Sequence, residues 1–177
     1  MRALAVEIGA DLGASELVEA ASELAAAELA VALARKGEVQ AIMKGHLHTD
    51  VLLRPMLDRA TGLRIGRRFT HVFVLDVPGL GHPLLVSDGA INIAPDLMTK
   101  VDIVQNAIDL AHSLGITQPK VAILSAVETV TPDMPSSMDA AALSKMAERG
   151  QITGEIPREH LNDLDIVSEY TGVSSSH

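Results

Sequence analysis

The run Lys44-Gly45-His46-Leu47-His48-Thr49-Asp50, closing on Arg54-Pro55, gathers cations, ring nitrogens and a hydroxyl into one short stretch. A short apolar run, residues 39–43, precedes it and reads as a buried strand. Residues 51–57 follow with helical spacing. A strand, a Gly/His/Thr turn and a helix with an early Arg make an anion site. The first-turn N–H groups are free there and the helix dipole favours negative charge. Thr49 adds a hydroxyl, and Arg54 adds a planar fork that matches phosphate. The competing reading is a capped helix with solvent-facing histidines and Arg54 paired with Asp50 or Asp58. A metal reading of His46-x-His48 with Asp50 finds no further obvious ligand.

Three other constellations stand at element ends. Ser87-Asp88-Gly89-Ala90-Ile91-Asn92-Ile93-Ala94-Pro95-Asp96 lies between an apolar strand and a long helix, where α/β proteins place ligand contacts. Asn92 can hydrogen-bond a carbonyl or a phosphate in either direction, and Ser87 offers a hydroxyl. The plain alternative is a loop of Asx-turns ending in an Asp96 N-cap. Ser125, in Ser125-Ala126-Val127-Glu128-Thr129, sits at the end of an apolar run and either meets substrate or satisfies its own backbone. Arg64, Arg67 and Arg68 either touch coenzyme phosphates or form a solvated basic loop. The chain has no GxxxxGK[ST] phosphate loop and no GxSxG nucleophile turn.

These residues need elements to position them. A helix is expected over residues 15–36, capped by Ser15, with the strand at 39–43 and a helix to about Leu57. An antiparallel hairpin is expected from 71–77 and 84–87 around Pro78-Gly79-Leu80-Gly81. A helix over 96–114 starts at Asp96 and ends at Gly115; a buried strand follows at 121–124. A last helix over 138–149 is capped by Ser136 or Ser137. The order αβα–ββ–αβα predicts an α/β fold with a mixed, mostly parallel sheet and flanking helices.

Composition narrows the classes. With 177 residues and 47% hydrophobic content the chain can bury a core, but only 2% is aromatic, so Ala, Val, Leu, Ile and Met must build it. A net charge of −9 and scarce aromatics argue against nucleic-acid binding. Zero cysteines exclude disulfides and thiol catalysis. No signal peptide and no membrane-spanning apolar run is evident, which makes the cytoplasm the expected compartment.

Taken in order, Lys44 to Asp50 with Arg54, Ser87 to Asp96, Asp102-Ile103-Val104-Gln105-Asn106-Ala107, Lys120-Val121-Ala122-Ile123-Leu124-Ser125-Ala126-Val127-Glu128 and Met146-Ala147-Glu148-Arg149-Gly150-Gln151-Ile152-Thr153-Gly154 resemble the phosphate acetyltransferase and phosphate butyryltransferase family. The resemblance covers roughly residues 20–155 and fits the butyryltransferase-like branch better. It implies reversible transfer of an acyl group between coenzyme A and inorganic phosphate, with coenzyme A as a substrate and no other cofactor. It also implies a two-domain architecture like that of isocitrate and isopropylmalate dehydrogenases, a homodimer, and coupling to an acyl-phosphate kinase. Carried onto this sequence, it makes His48, Thr49, Arg54, Ser87 and Asn92 substrate-binding and Arg54 and Ser125 catalytic.

The family is nearly twice this length. Its thiol-assisting Ser-Arg pair and later Asp do not match here, so the chain reads as truncated at both ends: a partial α/β domain over 15–155 and a divergent polar tail over 156–177. The alternative function is a catalytically incomplete coenzyme A or phosphate-binding module. A dehydrogenase of the same architecture would need acidic metal ligands and a nicotinamide site, which these residues do not assemble.

Overall fold

The computed structural model describes residues 2–127 and 129–153. The expected tail, 156–177, lies outside the described residues. Two compact units divide at Gly66 and Arg67. The elements, helical except for one hairpin, are α1 (Arg2–Glu7), α2 (Glu23–Arg35), α3 (Thr49–Leu57), β1 (Val72–Leu75), β2 (Leu84–Ser87), α4 (Leu97–Ser113) and α5 (Pro135–Glu148). The chain is thus α/β, with helices and a small antiparallel sheet.

In the first unit α2 and α3 pack together, and α2 buries Ala27 and Val31. The expected start at Ser15 is not the helix start. Ser22 is the N-cap, its hydroxyl accepting from the Ala25 N–H at 3.1 Å, while the Ser15 N–H closes a turn onto Leu12. Capping chemistry is local, so either serine satisfied the pattern; the backbone enters the helix at the second. Pro55 lies inside α3 and is its buried residue. Lacking an N–H, it withholds one helical hydrogen bond, and α3 ends two residues later. The following turn is firmly tied. The Asp58 carboxylate accepts from the N–H groups of Ala60 and Thr61 and from the Thr61 hydroxyl, and Arg35 donates to the Ala60 carbonyl at 2.6 Å. Gly62 is required there, because a Cβ would come within 2.5 Å of the Asp58 and Met56 carbonyls.

The second unit is built on α4 and α5. Val104 and Ile108 of α4 meet Leu143 and Ala147 of α5, with Ile152 closing the cluster. Leu97, Val101, Val121, Ile123 and Met146 pack around them. The Lys100–Asp139 ion pair, at 2.5 Å, also joins the two helices. Asp96 caps α4 as expected, its carboxylate accepting from the Thr99 N–H at 2.7 Å. Gly115, at φ +84, follows the helix end, also as expected. The expected cap of α5 does not form. Met134 holds that position, and Ser137 turns its buried hydroxyl back to the Thr131 and Met134 carbonyls. The hairpin is present, with Val72 opposite Ser87 and Leu75 opposite Leu84.

The strands expected at 39–43 and 121–124 do not form among the described residues. A strand exists through its ladder partners, and an apolar run supplies none of them. Met43 is 95% exposed and Leu124 73% exposed, although Val121 and Ile123 lean on the core. No described helix is long and apolar enough to cross a membrane.

Leu143 is 1% exposed in this cluster. Leu143→Ala is therefore expected to destabilise the second unit by about 2–5 kcal/mol, read from urea denaturation. A second expectation concerns pH. The hydroxyl and N–H of Thr99 hold the Asp96 carboxyl below 3.8, and the N–H and hydroxyl of Thr61 do the same for Asp58. A depressed folded value means the contribution is complete above 3.8 and is lost as pH falls through the lowered value. NMR titration of both carboxyl carbons should give midpoints below 3.8, with first-turn amide protection in α4 lost over the same range.

Candidate active site

The Lys44–Arg54 turn stands in the first unit. His48 is the N-cap of α3 in extended conformation (φ −61, ψ 136) and makes no side-chain cap bond. The first-turn N–H groups of Thr49 and Asp50 therefore meet no acceptor among the described residues. Lys44 holds the turn by donating to the Leu47 carbonyl at 3.0 Å. His48, Thr49 and Arg54 are all exposed. The pairing of Arg54 with Asp50 or Asp58 does not occur; Asp58 is occupied by its own turn, and Arg54 forms no ion pair among the described residues. What stands there is an uncapped helix start, which suits an anion, with Arg54 exposed in the last turn of the same short helix. No group of three metal-ligating side chains occurs among the described residues.

The second unit carries Ser87, Asn92 and Ser125. Here the side chains are committed. Ser87 Oγ donates to the His71 carbonyl at 2.8 Å. Asn92 Nδ2 donates to the Phe69 carbonyl at 3.0 Å and to Asp88 Oδ2 at 2.5 Å. Asp88 also accepts from the N–H groups of Ala90 and Ile91, both at 3.2 Å, and from the His71 backbone. Partial burial pushes the Asp88 carboxyl up, but the Asn92 amide and the three backbone N–H groups outweigh it and hold the group below 3.8. The loop from 87 to 92 is thus stapled to the segment entering β1. The imidazole of His71 stacks edge-on against Phe73 at 4.4 Å, with Nδ1 buried and unpartnered among the described residues.

Ser125 follows the run 121–124, which forms no strand among the described residues, and shares a 2.9 Å hydrogen bond with Ser136, in the first turn of α5. Of the arginines after residue 60, Arg67 pairs with Asp109 at 2.5 Å. The Arg68 N–H bonds Asp102, and its carbonyl accepts from Asn106. Arg67 is thereby tied to α4 rather than offered to a coenzyme. The structure brings Ser87 and Asn92 together and leaves Ser125 on a separate segment beside α5. Sequence reasoning offered Ser136 only as a helix cap and missed the bonds Asp88–Asn92 and Ser125–Ser136. The Asp88-Gly89 step did signal an Asx-turn, but nothing in the sequence shows that the same carboxylate also holds the Asn92 amide.

Comparison with known proteins joins these segments. The phosphate acetyl/butaryl transferase family matches residues 13–170. The chain is 56% identical over 156 residues to a phosphate acetyltransferase of Rhizobium meliloti, covering 88% of this chain and 49% of that one. It is 42% identical over 151 residues to a phosphate butyryltransferase of Clostridium acetobutylicum, covering 85% of this chain and 50% of that one. The branched-chain phosphotransacylase structure from Enterococcus faecalis V583 superposes with a TM-score of 0.64 at 31% identity, over 84% of this chain and 60% of that one. The chain spans about half the length of the curated relatives it matches. A match through both the Lys44–Arg54 turn and the Ser87–Asp96 loop places this chain in the phosphate acetyltransferase and phosphate butyryltransferase family.

Proposed function

We propose that the chain acts in acyl transfer between coenzyme A and inorganic phosphate: acyl-CoA and phosphate interconvert with acyl phosphate and coenzyme A. The observation that carries this reading is the family match over residues 13–170, which takes in every site residue named from the sequence. The uncapped start of α3 with exposed Arg54 supports it, since the reaction must hold a multiply charged phosphate. In the thioester-forming direction the coenzyme sulfur bonds to the carbonyl carbon and the carbon–oxygen bond to phosphate breaks. The thiol proton leaves to solvent or to the departing phosphate. Donors aimed at the tetrahedral oxyanion, and fixed placement of the two substrates, lower that barrier. On this reading His48, Thr49, Arg54, Ser87 and Asn92 are substrate-binding residues, the first three for the phosphate-bearing substrate and the last two for coenzyme A, and Arg54 and Ser125 are the residues assigned to catalysis. The coenzyme is a substrate, and the scheme asks for no metal or other cofactor.

The wider expectations belong to the same proposal. They are a cytoplasmic homodimer feeding an acyl-phosphate kinase, and an isocitrate dehydrogenase-like architecture with a mostly parallel sheet. The higher identity to the acetyltransferase than to the butyryltransferase runs against the butyryltransferase-like branch expected from the sequence. Because the chain spans half its relatives' length, a second reading is a coenzyme A and phosphate-binding module that does not turn over alone.

The purified chain with acetyl or butyryl phosphate and coenzyme A should form thioester, followed by its ultraviolet absorbance. Coenzyme binding without turnover supports the module instead; neither binding nor turnover refutes both. Arg54→Ala should weaken phosphate binding in calorimetry by about 1.5–3 kcal/mol, the cost of a charge-assisted contact. Unchanged affinity would remove Arg54 from the site.

A further inference from the structure

The loop between β2 and α4 has spent the side-chain donors of Ser87 and Asn92. Both hydrogens of the Asn92 amide are used, one on the Phe69 carbonyl and one on the Asp88 carboxylate. Both partners are acceptors only, so the amide cannot be turned over: its oxygen would then face two oxygens. The Ser87 hydroxyl hydrogen is likewise donated, to the His71 carbonyl. What these two side chains keep for a ligand is the Asn92 Oδ1 and the Ser87 Oγ lone pair, both acceptors, beside the charged Asp88. We infer that the Ser87 and Asn92 side chains, beside the Asp88 carboxylate, do not hold phosphate and instead accept hydrogen bonds from an uncharged, N–H-bearing part of the substrate, which in coenzyme A is the pair of secondary amides in its pantetheine arm. The inference rests on the acyltransferase reading for the identity of that ligand.

The assignment divides the work between the two units by chemistry. The start of α3 offers unused N–H groups and Arg54, which want an anion. The side chains of Ser87, Asp88 and Asn92 offer oxygens and a carboxylate, which repel one. Asp88 becomes a positioning residue: by holding Asn92 Nδ2 it fixes which face of the amide is left for the ligand.

The test is two-dimensional NMR of the whole 177-residue chain, labelled with nitrogen-15 and titrated separately with inorganic phosphate, pantetheine (which carries the amides and no phosphate) and coenzyme A. Pantetheine should shift the Ser87 and Asn92 backbone amides, and phosphate should shift Thr49 and Asp50 but leave the loop unmoved. Asn92→Ala should weaken pantetheine binding roughly two- to tenfold and leave the phosphate response at Thr49 intact. Ser87→Ala gives a milder second variant if the first loosens the loop. Phosphate shifts at Ser87 or Asn92, or coenzyme A binding with no pantetheine response there, overturn the inference and leave the acyltransferase reading standing. Coenzyme A that binds nowhere overturns both.

Discussion

Close packing of α4 on α5 is the constraint on which the second unit depends. With 2% aromatic residues, no large ring is available to fill space between elements. The helices must instead approach closely, and they do so where Ala147, fully buried, and Leu143 meet Val104 and Ile108. A core of small and branched side chains leaves little slack, because each methylene lost opens a void its neighbours only partly refill. The site loops inherit their positions from this contact. The loop from 87 to 96 ends in the Asp96 cap of α4, and Ser125 reaches Ser136 in the first turn of α5.

The polar groups follow two different regimes. In the loop after β2 the side-chain donors are spoken for: Asp88 gathers the amide of Asn92 and backbone N–H groups, and Ser87 bonds back to His71. Such a network fixes geometry but narrows what it can bind, since a donor used internally is lost to a ligand. At the start of α3 the opposite holds. Neither His48 nor Asp50 caps the helix, and Arg54 is exposed without an ion pair among the described residues. Left uncapped, a helix start keeps its N–H groups and its positive dipole end available, at some cost to helix stability.

Much of this was legible in the chain itself. Helical spacing with Asp96 before and Gly115 after located α4, and Pro78-Gly79-Leu80-Gly81 between apolar runs located the hairpin. These are local effects, settled by side-chain period, capping and turn chemistry within a few residues. Residue type and spacing also picked out the Lys44–Arg54 turn and the loop from 87 to 96, and ordered motifs sufficed to indicate the family. Tertiary structure decided the rest. Whether 39–43 and 121–124 become strands depends on a neighbour to complete their hydrogen bonds, which an apolar run cannot specify. Whether Arg54 pairs with Asp58 or stays open depended on the Asp58 turn. Whether Asn92 donates or accepts depended on Phe69, some two dozen residues away in sequence, coming within 3.0 Å. Sequence names the groups a site can use; the fold decides which of them are already used.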